Sequence, residues 1–414
     1  MRAVITGTGM HVPHMRVDND TMAKLMDTND EWIRVRTGIE QRHNAAPDEA
    51  TSDLATPAAR RAIEAAGLEP SDIDYLVVAT MTPDYYFPGS APFVQRKLGL
   101  EEIPCLDIRQ QCAGFVYALQ ISDALIRSGQ SRRVLVVGAE AHASLVPWSE
   151  ESWAVATGRN KGPLSSEEFD RNTMTRDRVV LFGDGAGAVV VEASADESRG
   201  VIDCLLHTNG DQAERLWTKA GGSAFRPYFH PDMFHSGDYV PVVEGRKVYA
   251  LAVTFMPKVT LEILERNGLT IDDLDLVIMH QANLRINEGV QKRLEIPDDK
   301  VFNNIQKYGN TTAATIPIAF HEALCNYLGQ VIPEGFDGRY GTPALMPNNF
   351  NDLDTCIEDS QQHDPEITEG FMSACLVDIH DSAGDATDDH SWFPGWLDRL
   401  AMGPEEILSC AVSY

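Results

Sequence analysis

GLEPSDIDYLVVA, at residues 67–79, returns 201 residues later as GLTIDDLDLVIMH, at residues 268–280. Each stretch starts at the Gly that ends a helical pattern, passes through an Asp-x-Asp turn and finishes in an apolar strand. Helix–Gly–Asp–strand units are common in α/β proteins, but a match over thirteen positions favours a duplication. The repeat therefore predicts two similar halves that meet near residue 195, with domains at 1–194 and 195–414.

Outside the repeat, short apolar runs alternate with helical patterns, and this alternation predicts an α/β architecture with buried, mixed sheets. We predict helices over Thr56–Ala66 and Phe115–Ser128. The predicted strands are Ala3–Ile5, Tyr75–Ala79, Val134–Val137, Ala188–Glu192, Val201–Leu206 and Leu276–Met279. Residues 148–173 are polar and lack a clear period, and residues 335–402 are rich in Pro, Gly, Asn and Asp. We interpret both as insertions or surface excursions.

The charge of the chain is strongly and unevenly negative. Acidic residues outnumber basic ones by 62 to 34 over 414 residues, so the formal charge is −28. Residues 351–414 carry half of this charge, because they hold 15 Asp and Glu and one basic residue, Arg399. Such a surface repels nucleic-acid phosphate and anionic lipid, so we expect neither as a general partner.

No sequence feature indicates export, a membrane span or a metal site. MRAVITGTGMHVP, at the start, has too short an apolar run for a signal peptide, and no run of about 18 apolar residues follows. Seven Cys without paired spacing argue against a disulfide framework or structural zinc. His363, His380 and His390 lie among acids, but their spacing matches no metal motif. We therefore expect a cytoplasmic protein without a bound metal.

Cys112 is the first candidate for chemistry. It lies in DIRQQCAGFVYALQISDALIRSG, between a strand-like CLDI and a predicted helix. A Cys at a helix N-terminus feels the positive end of the helix dipole, which favours the thiolate. A buried structural Cys is the alternative interpretation.

His280 and Asn310 are the other two candidates. His280 ends the second repeat strand, where α/β folds place site residues, although a hydrogen-bonded core His is the alternative. Asn310 lies in KYGNTTAATIPIAFHEAL, and a simple helix N-cap is the alternative interpretation. Cys, His and Asn together provide a nucleophile and two polar side chains able to donate hydrogen bonds. Papain-like proteases use the same residue types, but their Cys signature is absent.

The chain resembles the β-ketoacyl-acyl-carrier-protein synthase III family of the thiolase superfamily. The strings that carry the resemblance occur in family order over about residues 1–147 and 174–333, and they are NDEWIRVRTGIEQRH, FPGSAPFVQRKLGL, QQCAGFVYAL, LFGDGAGA, HQANLRI and YGNTTAATIP. The resemblance implies a thiolase-like, five-layered αβαβα fold of two duplicated halves, and a homodimer.

The resemblance also implies a reaction in two steps. Cys112 takes an acyl group from acyl-CoA as a thioester, and malonyl-acyl-carrier protein then loses CO2 and attacks that thioester. His280 and Asn310 would hold the malonyl thioester oxygen, which gains charge as CO2 leaves, and a carboxylate in their place would repel that charge. Acyl-CoA enters as a substrate, so no cofactor is expected. The pathway would be fatty-acid initiation or a polyketide-like route.

Further residues take roles from the resemblance alone. The implied CoA and substrate positions are Thr28, Trp32, Arg36, Phe87, Arg176, Gly245 and Asn283. The adenine of CoA would stack between Trp32 and Arg176, and Phe87 would reach across the dimer into the acyl pocket of the partner. Arg285, Lys292 and Arg293 match a patch that docks the acidic carrier protein, although ordinary solvated charge is the alternative.

The family pattern breaks in two places. The insertion at 148–173 precedes Arg176, so we expect it to reshape substrate access. After VIPEG the sequence turns foreign until GPEEILSCAVSY at 403–414, and the Gly-rich loop and last strand of the family are not found. The loop supplies a second oxyanion-hole donor in the family, so two alternatives stay open. One is an acyltransferase that does not decarboxylate, and the other is a non-catalytic subunit that binds the carrier protein.

Overall fold

The computed structural model describes residues 1–331, so the predictions for residues 335–402 and for the acidic tail lie outside the described residues. The strands are β1 (Arg2–His11), β2 (Met15–Asp18), β3 (Gln41–Asn44), β4 (Tyr75–Ala79), β5 (Cys105–Ile108), β6 (Arg133–Glu140), β7 (Gly185–Ser194), β8 (Leu216–Trp217), β9 (Val242–Val243), β10 (Val277–Ile278) and β11 (Val301–Phe302). The helices are α1 (Asn19–Leu25), α2 (Asp30–Thr37), α3 (Thr51–Ala65), α4 (Ala91–Leu98), α5 (Gly114–Arg127), α6 (Glu150–Ala156), α7 (Ser166–Thr173), α8 (Arg176–Val179), α9 (Asp232–His235), α10 (Gly245–Asn267), α11 (Leu284–Leu294), α12 (Ile305–Tyr308) and α13 (Thr315–Val331).

A five-stranded mixed sheet, in the order β1-β7-β6-β4-β5, organises the first half. β4 runs parallel to both β5 and β6, whereas β7 is antiparallel to β1 and β6. The central strands read as continuous apolar runs because both of their faces are covered. Leu76 and Val78 pack with α3 and α4 on one face, while Val77 packs with α5 and α13 on the other.

The second half adds two more layers on the far side of α5 and α13. Its strands β10 and β11 pair in parallel, and Ile278 packs into the same core as α5 and α13. The neighbouring Val277 faces the opposite way, into a core built by α10 and α11. The layer order is therefore helices, sheet, helices, sheet, helices, as the family resemblance implies.

The elements repeat at the spacing of the sequence repeat. The 3₁₀ turns Pro70–Asp72 and Ile271–Asp273, each followed by a repeat strand, lie 201 residues apart. The same spacing relates the 3₁₀ turn Gln111–Ala113 before α5 to the 3₁₀ turn Thr312–Ala314 before α13. The first residue of each of these last two turns has a positive φ, 44° for Gln111 and 50° for Thr312. The two halves are thus duplicated, and the boundary at residue 194 stays a prediction.

The predicted strands of the first half are present, but α3 starts at Thr51, five residues before the predicted Thr56, and one predicted strand of the second half is wrong. Tyr75–Ala79 matches β4 residue for residue, and the helix predicted at Phe115–Ser128 is α5. Val201–Leu206 forms no strand, however. By the repeat spacing it corresponds to the start of β1, which pairs with β7 in the first half. A strand exists only as part of a ladder, and no described residue supplies that ladder here.

Candidate active site

The turn Gln111–Ala113 presents Cys112 at the start of the 14-residue helix α5. Gln111 has φ of 44°, a left-handed conformation that non-Gly residues adopt only where the surroundings hold them. Cys112 keeps some accessible surface, but desolvation by the side chains around it, followed by the charge of Glu140, raises the pKa of its thiol to about 12. With this raised pKa, the resting form is the thiol and not the thiolate expected from the helix dipole.

His280 lies two residues after β10, and its ring is held from one side. Its Nδ1 is 2.6 Å from the hydroxyl oxygen of Thr315, at the start of α13. Its Nε2 is screened from solvent and has no hydrogen-bond partner among residues 1–331. Burial lowers the pKa of His280 to about 4, so the ring is neutral near pH 7. A neutral imidazole with one unpartnered nitrogen is suited to proton transfer or hydrogen bonding with a bound substrate.

Asn310 lies in the turn between α12 and α13, and backbone bonds fix its position. Its N–H donates to the carbonyl of Leu181 at 2.8 Å, and its carbonyl accepts from the N–H of Gly183 at 3.1 Å. Its side-chain Oδ1 accepts from the N–H of Thr312 at 2.8 Å. The capping role considered from the sequence thus occupies only Oδ1, and the Nδ2 donors remain for another partner.

Two threonines link these candidates. The turns Gln111–Ala113 and Thr312–Ala314 pack against each other, which brings Cys112 beside the turn that carries Asn310. Thr312 donates its N–H to Asn310, while its carbonyl accepts from the hydroxyl of Thr315 at 3.0 Å. Thr315 in turn contacts His280. The structure therefore joins Asn310 and His280 through one buried hydrogen-bonded turn, and the turn that carries Cys112 packs against it.

A buried polar cluster beneath this turn was missed from the sequence. The Nε2 of His142 is 2.7 Å from the hydroxyl of Thr312, and its Nδ1 donates to the carbonyl of Gly183 at 2.8 Å. Burial alone would lower the pKa of His142, but the nearby carboxylates of Asp184 and Glu140 raise it. The position of Glu140 at the end of the apolar strand β6 is a signal that could have identified it. His142 follows the same strand by two residues and carries the same signal, whereas its partners, 41 and 170 residues away, are not indicated by the sequence.

The predicted CoA residues form a second group, around α2. The guanidinium carbon of Arg36 is 4.5 Å from the centre of the Trp32 ring, and that of Arg176 is 5.0 Å from it. Arg176 also pairs with Asp27, and the Nδ2 of Asn283 donates to the carbonyl of Arg36 at 3.1 Å. The four predicted residues thus lie on one cationic, aromatic surface that can hold a purine and phosphates, with the carboxylate of Asp27 beside it.

Comparison with known proteins identifies the family. The model of 3-oxoacyl-[acyl-carrier-protein (ACP)] synthase III matches residues 106–159 and 164–210, and the model of its C-terminal part matches residues 264–328. A β-ketoacyl-[acyl-carrier-protein] synthase III from Caldanaerobacter subterraneus subsp. tengcongensis is 42% identical over 321 residues, which are 78% of this chain and 88% of the relative. The chain belongs to the β-ketoacyl-[acyl-carrier-protein] synthase III family.

Solved structures agree with this assignment. The synthase III from Aquifex aeolicus VF5 matches with a TM-score of 0.66 and 37% identity, over 78% of this chain and 91% of that one. The priming β-ketosynthase from the R1128 polyketide biosynthetic pathway matches with a TM-score of 0.65 and 31% identity, over 78% and 87%. The thiolase-like fold and the condensing acyltransferase class predicted from the sequence are confirmed.

In this synthase III member, helix α11 has a mixed charge. Arg285 is engaged by both carboxylate oxygens of Glu288, at 2.8 and 2.7 Å, and by backbone carbonyls of α2. Lys292 lines a surface cavity together with Glu288, Gln291, Glu295, Ile296 and Asp298. Arg293 donates to the carbonyl of Val253 at 3.3 Å. The predicted docking patch is thus a basic ridge with acidic neighbours, and its role in docking stays a prediction.

Residues 148–173, which we interpret from the sequence as an insertion, lie beside the Trp32 group, and their effect on substrate access stays a prediction. They contain the short helices α6 and α7, which the polar, aperiodic sequence did not indicate. Asn172 donates from Nδ2 to the carbonyl of Leu25 at 3.1 Å, and Thr173 accepts from the N–H of Asp27 at 3.0 Å. Trp148 packs into the same apolar cluster as Trp32. Residues 148–173 therefore support residues 25–27, of which Asp27 pairs with Arg176.

Three of the predicted CoA and substrate positions have side chains with no hydrogen bond, ion pair or ring contact to this surface among residues 1–331. Phe87 is 83% exposed, and Gly245 starts α10 in open space. The hydroxyl of Thr28 is buried without a hydrogen-bond partner, close in sequence to Trp32.

No helix in the described part is both long and apolar enough to cross a membrane.

Proposed function

We propose that the chain transfers an acyl group from acyl-CoA to Cys112 and then condenses it with malonyl-acyl-carrier protein, releasing CO2 and a 3-oxoacyl product. The observation that carries this proposal is the buried turn in which Thr312 and Thr315 link Asn310 and His280 beside Cys112. A nucleophile and neutral polar side chains at one point suit both half-reactions.

In the first half-reaction, the Cys112 sulfur attacks the thioester carbon of acyl-CoA. The bond from carbon to the CoA sulfur breaks, and the proton of the Cys112 thiol leaves with CoA. Because the pKa of this thiol is raised to about 12, the proton must be removed during the attack by a neighbouring base. His280, neutral near pH 7, is the group that we assign to this transfer.

In the second half-reaction, malonyl thioester loses CO2, and negative charge develops on its thioester oxygen. His280 and the Nδ2 hydrogens of Asn310 are the groups that we expect to hold this oxygen and stabilise its charge, since Oδ1 of Asn310 is already used within the turn. The resulting carbanion attacks the acyl thioester, a carbon–carbon bond forms, and the Cys112 sulfur leaves as a thiolate that takes up a proton from solvent to restore the thiol. Replacing Asn310 by Asp places negative charge beside the oxygen and is expected to lower condensation about 10²–10³-fold.

Two measurements test the proposal. Intact-mass spectrometry after incubation with a panel of acyl-CoAs should show one acyl group on the wild type and none on Cys112→Ala. Release of CO2 from malonyl-acyl-carrier protein should then occur in the acylated enzyme. Acylation without CO2 release would favour an acyltransferase that does not decarboxylate. No mass shift with any acyl-CoA would favour a carrier-protein-binding subunit and refute the enzyme assignment.

We assign the reaction to fatty-acid initiation, and the polyketide route is the second candidate. The similarity to the R1128 priming β-ketosynthase is what keeps that candidate in view. The acyl-CoA panel separates them, because a starter preference for acetyl-CoA fits initiation and a preference for longer or unusual acyl groups fits a priming role.

We further propose that the chain acts as a cytoplasmic homodimer. Phe87 and its neighbours Tyr85 and Tyr86 are 83%, 61% and 58% exposed, and consecutive aromatic side chains of this size usually mark an interface. Light scattering should give twice the mass of 45.6 kDa, and Phe87→Ser should lower the dimer fraction. Four free thiols in the described part are consistent with a reducing compartment, which cell fractionation checks.

The basic ridge on α11 is the proposed docking site for the carrier protein. Lys292→Glu should raise the KM for malonyl-acyl-carrier protein several-fold and leave the reaction of Cys112 with acyl-CoA unchanged. Arg266→Glu, on α10, is a matched charge reversal outside α11. An equal effect of both variants would assign the change to overall charge rather than to the ridge.

A further inference from the structure

The buried ring of His142 bridges the two residues that hold Asn310. Its Nδ1 donates to the carbonyl of Gly183 at 2.8 Å, and its Nε2 is 2.7 Å from the hydroxyl oxygen of Thr312. Gly183 donates its N–H to the carbonyl of Asn310, and Thr312 donates its N–H to Oδ1 of the same residue. The ring therefore fixes how the two donors that end on Asn310 lie relative to each other.

The main chain and the side chain of Asn310 are held in different ways. Backbone bonds to Leu181 and Gly183 fix its main chain. Its side chain has one hydrogen bond among residues 1–331, in which Oδ1 accepts from the N–H of Thr312 at 2.8 Å. A flipped amide would turn Nδ2, which is a donor, toward that N–H, so this bond also decides that Nδ2 is the end left for a substrate. The direction of the Thr312 N–H thus orients the amide.

The backbone of Thr312 needs an outside restraint to keep that direction. Its φ of 50° is one that a β-branched residue avoids. Rotation about φ would turn the N–H of Thr312, and the chain that leads back to Asn310, relative to the Thr312 side chain and α13. His142 holds both sides of this rotation, one through Gly183 and the other through the Thr312 hydroxyl. The ring cannot follow a rotation easily, because it is buried and stacked on Phe182 with 4.8 Å between the ring centres.

The bridge does not depend on the charge of the ring. Nδ1 must carry a hydrogen, because a carbonyl oxygen can only accept. In the neutral ring Nε2 accepts from the Thr312 hydroxyl, and in the imidazolium it donates to the same oxygen. Burial lowers the pKa of His142, but the buried carboxylates of Asp184 and Glu140 outweigh burial and raise it, which favours the charged form with its stronger bonds.

We propose that His142 is a positioning residue that holds the amide of Asn310 in the orientation needed by the malonyl thioester oxygen. This inference rests on the proposed function and assigns His142 to the second half-reaction. The first half-reaction should depend on it little, because Cys112 lies on a different turn. The contact of Thr315 with His280 should also remain, since Thr315 lies in α13, on the side of Thr312 that the helix holds.

The amide of Asn310 can be followed whether or not the enzyme turns over. In the full chain labelled with ¹⁵N-asparagine, the side-chain NH2 signals of Asn310 are assigned by their loss in Asn310→Ala. We expect shifted or broadened signals in His142→Phe, which keeps a ring on Phe182 but makes neither hydrogen bond. His142→Gln, whose amide can make both bonds, should restore the wild-type signals. Signals in His142→Phe that are unchanged from wild type would overturn the proposal.

His321→Phe is the matched control for the loss of a buried histidine. The Nδ1 of His321 is 2.9 Å from the hydroxyl oxygen of Thr8, which is the same kind of bond away from Asn310. An equal change of the Asn310 signals in His321→Phe would contradict a specific role of His142. Thr312→Val removes the second bond from its other end and should reproduce the effect of His142→Phe, so the test does not depend on one variant that folds.

Single-turnover rates give the consequence for the reaction. His142→Phe should slow CO2 release from malonyl-acyl-carrier protein about 10–10²-fold, less than the ~10²–10³-fold expected for complete loss of a donor. Acylation of Cys112 by acetyl-CoA, measured by intact mass, should stay within about threefold of wild type, and His142→Gln should recover most of the CO2 release.

The double variant His142→Phe/Thr312→Val decides whether His142 acts through Thr312. It should be no slower than the slower of the two single variants, because both remove the same bond. Additive losses, or equal slowing of both half-reactions, would refute the proposal. If even the wild type is not acylated, the proposed function fails, and the Asn310 signals still decide whether His142 orients the amide.

Discussion

Gly138 lies in β6 where the active-site turn comes closest to the main sheet. A Cβ added there would lie 2.2 Å from the carbonyl oxygen of Ala313 and 2.8 Å from its carbonyl carbon. Contacts under 3.0 Å are essentially never seen for a Cβ, so the backbone must move by at least about 0.8 Å. The atoms involved are backbone on both sides, and no flexible side chain can absorb the change. Gly138→Ala therefore displaces the turn that carries Thr312 and lies beside Cys112.

The displacement sets the size of the expected effect. A shift of about 1 Å at reacting groups costs about 10²-fold in rate, and overpacking of a buried core costs about 1–3 kcal/mol in stability. Condensation by Gly138→Ala should thus fall about 10²-fold, while urea melts show a folded protein of reduced stability. Gly210→Ala is the control, since a Cβ at that position meets nothing within 4 Å. A Gly138→Ala enzyme within threefold of wild-type activity would refute the argument that this close approach positions the turn.

Three further outcomes are expected. Burial lowers the pKa of His321 from 6.5 to about 4, so between these pH values the unfolded chain binds a proton that the folded chain does not. The free energy of unfolding should therefore fall by about 3 kcal/mol for this group as the pH drops from 7 to 4. Urea melts across this range should show a smaller fall in His321→Asn. Trp32→Ala should weaken CoA binding about tenfold by calorimetry. Binding of CoA should also displace Arg176, because its guanidinium carbon is 5.0 Å from the centre of the Trp32 ring, and a base stacked between the two needs ~7 Å. Glu140→Gln removes the charge that helps raise the pKa of Cys112, so iodoacetamide should alkylate Cys112 faster at pH 8, and an unchanged rate would contradict that coupling.

The sequence predicted the fold where the signal is local. Tyr75–Ala79 was assigned residue for residue because a strand buried on both faces needs an uninterrupted apolar run. The duplication could be recognised because the turn and the strand of each copy lie within thirteen consecutive residues, at 67–79 and 268–280. Val201–Leu206 has the same composition as a strand, but strand formation depends on a partner far away in the sequence. Local pattern cannot report whether that partner is present.

The same difference between local sequence signals and long-range contacts applies to the active-site residues. Cys112 and His280 could be found because each follows a predicted strand, where α/β folds place reactive groups. Thr315 could not, because its role depends on a contact with a residue 35 positions away. The ionisation of Cys112 was predicted in the wrong direction, since the helix dipole can be read from sequence and desolvation cannot. Position in the chain identifies the reactive residue types, and packing decides their protonation.

Duplication explains why the two halves share a strained turn and use it differently. Gln111 and Thr312 open equivalent 3₁₀ turns with φ of 44° and 50°, and a non-Gly residue in that region costs about 1–3 kcal/mol. In the first half the turn presents Cys112 at the start of α5. In the second half Thr312 uses its N–H, hydroxyl and carbonyl to hold Asn310, His142 and Thr315. A β-branched residue tolerates that conformation poorly, so these three bonds are what keep it there. The strain in the second turn is thus offset by the same contacts that orient the side chains around the nucleophile of the first.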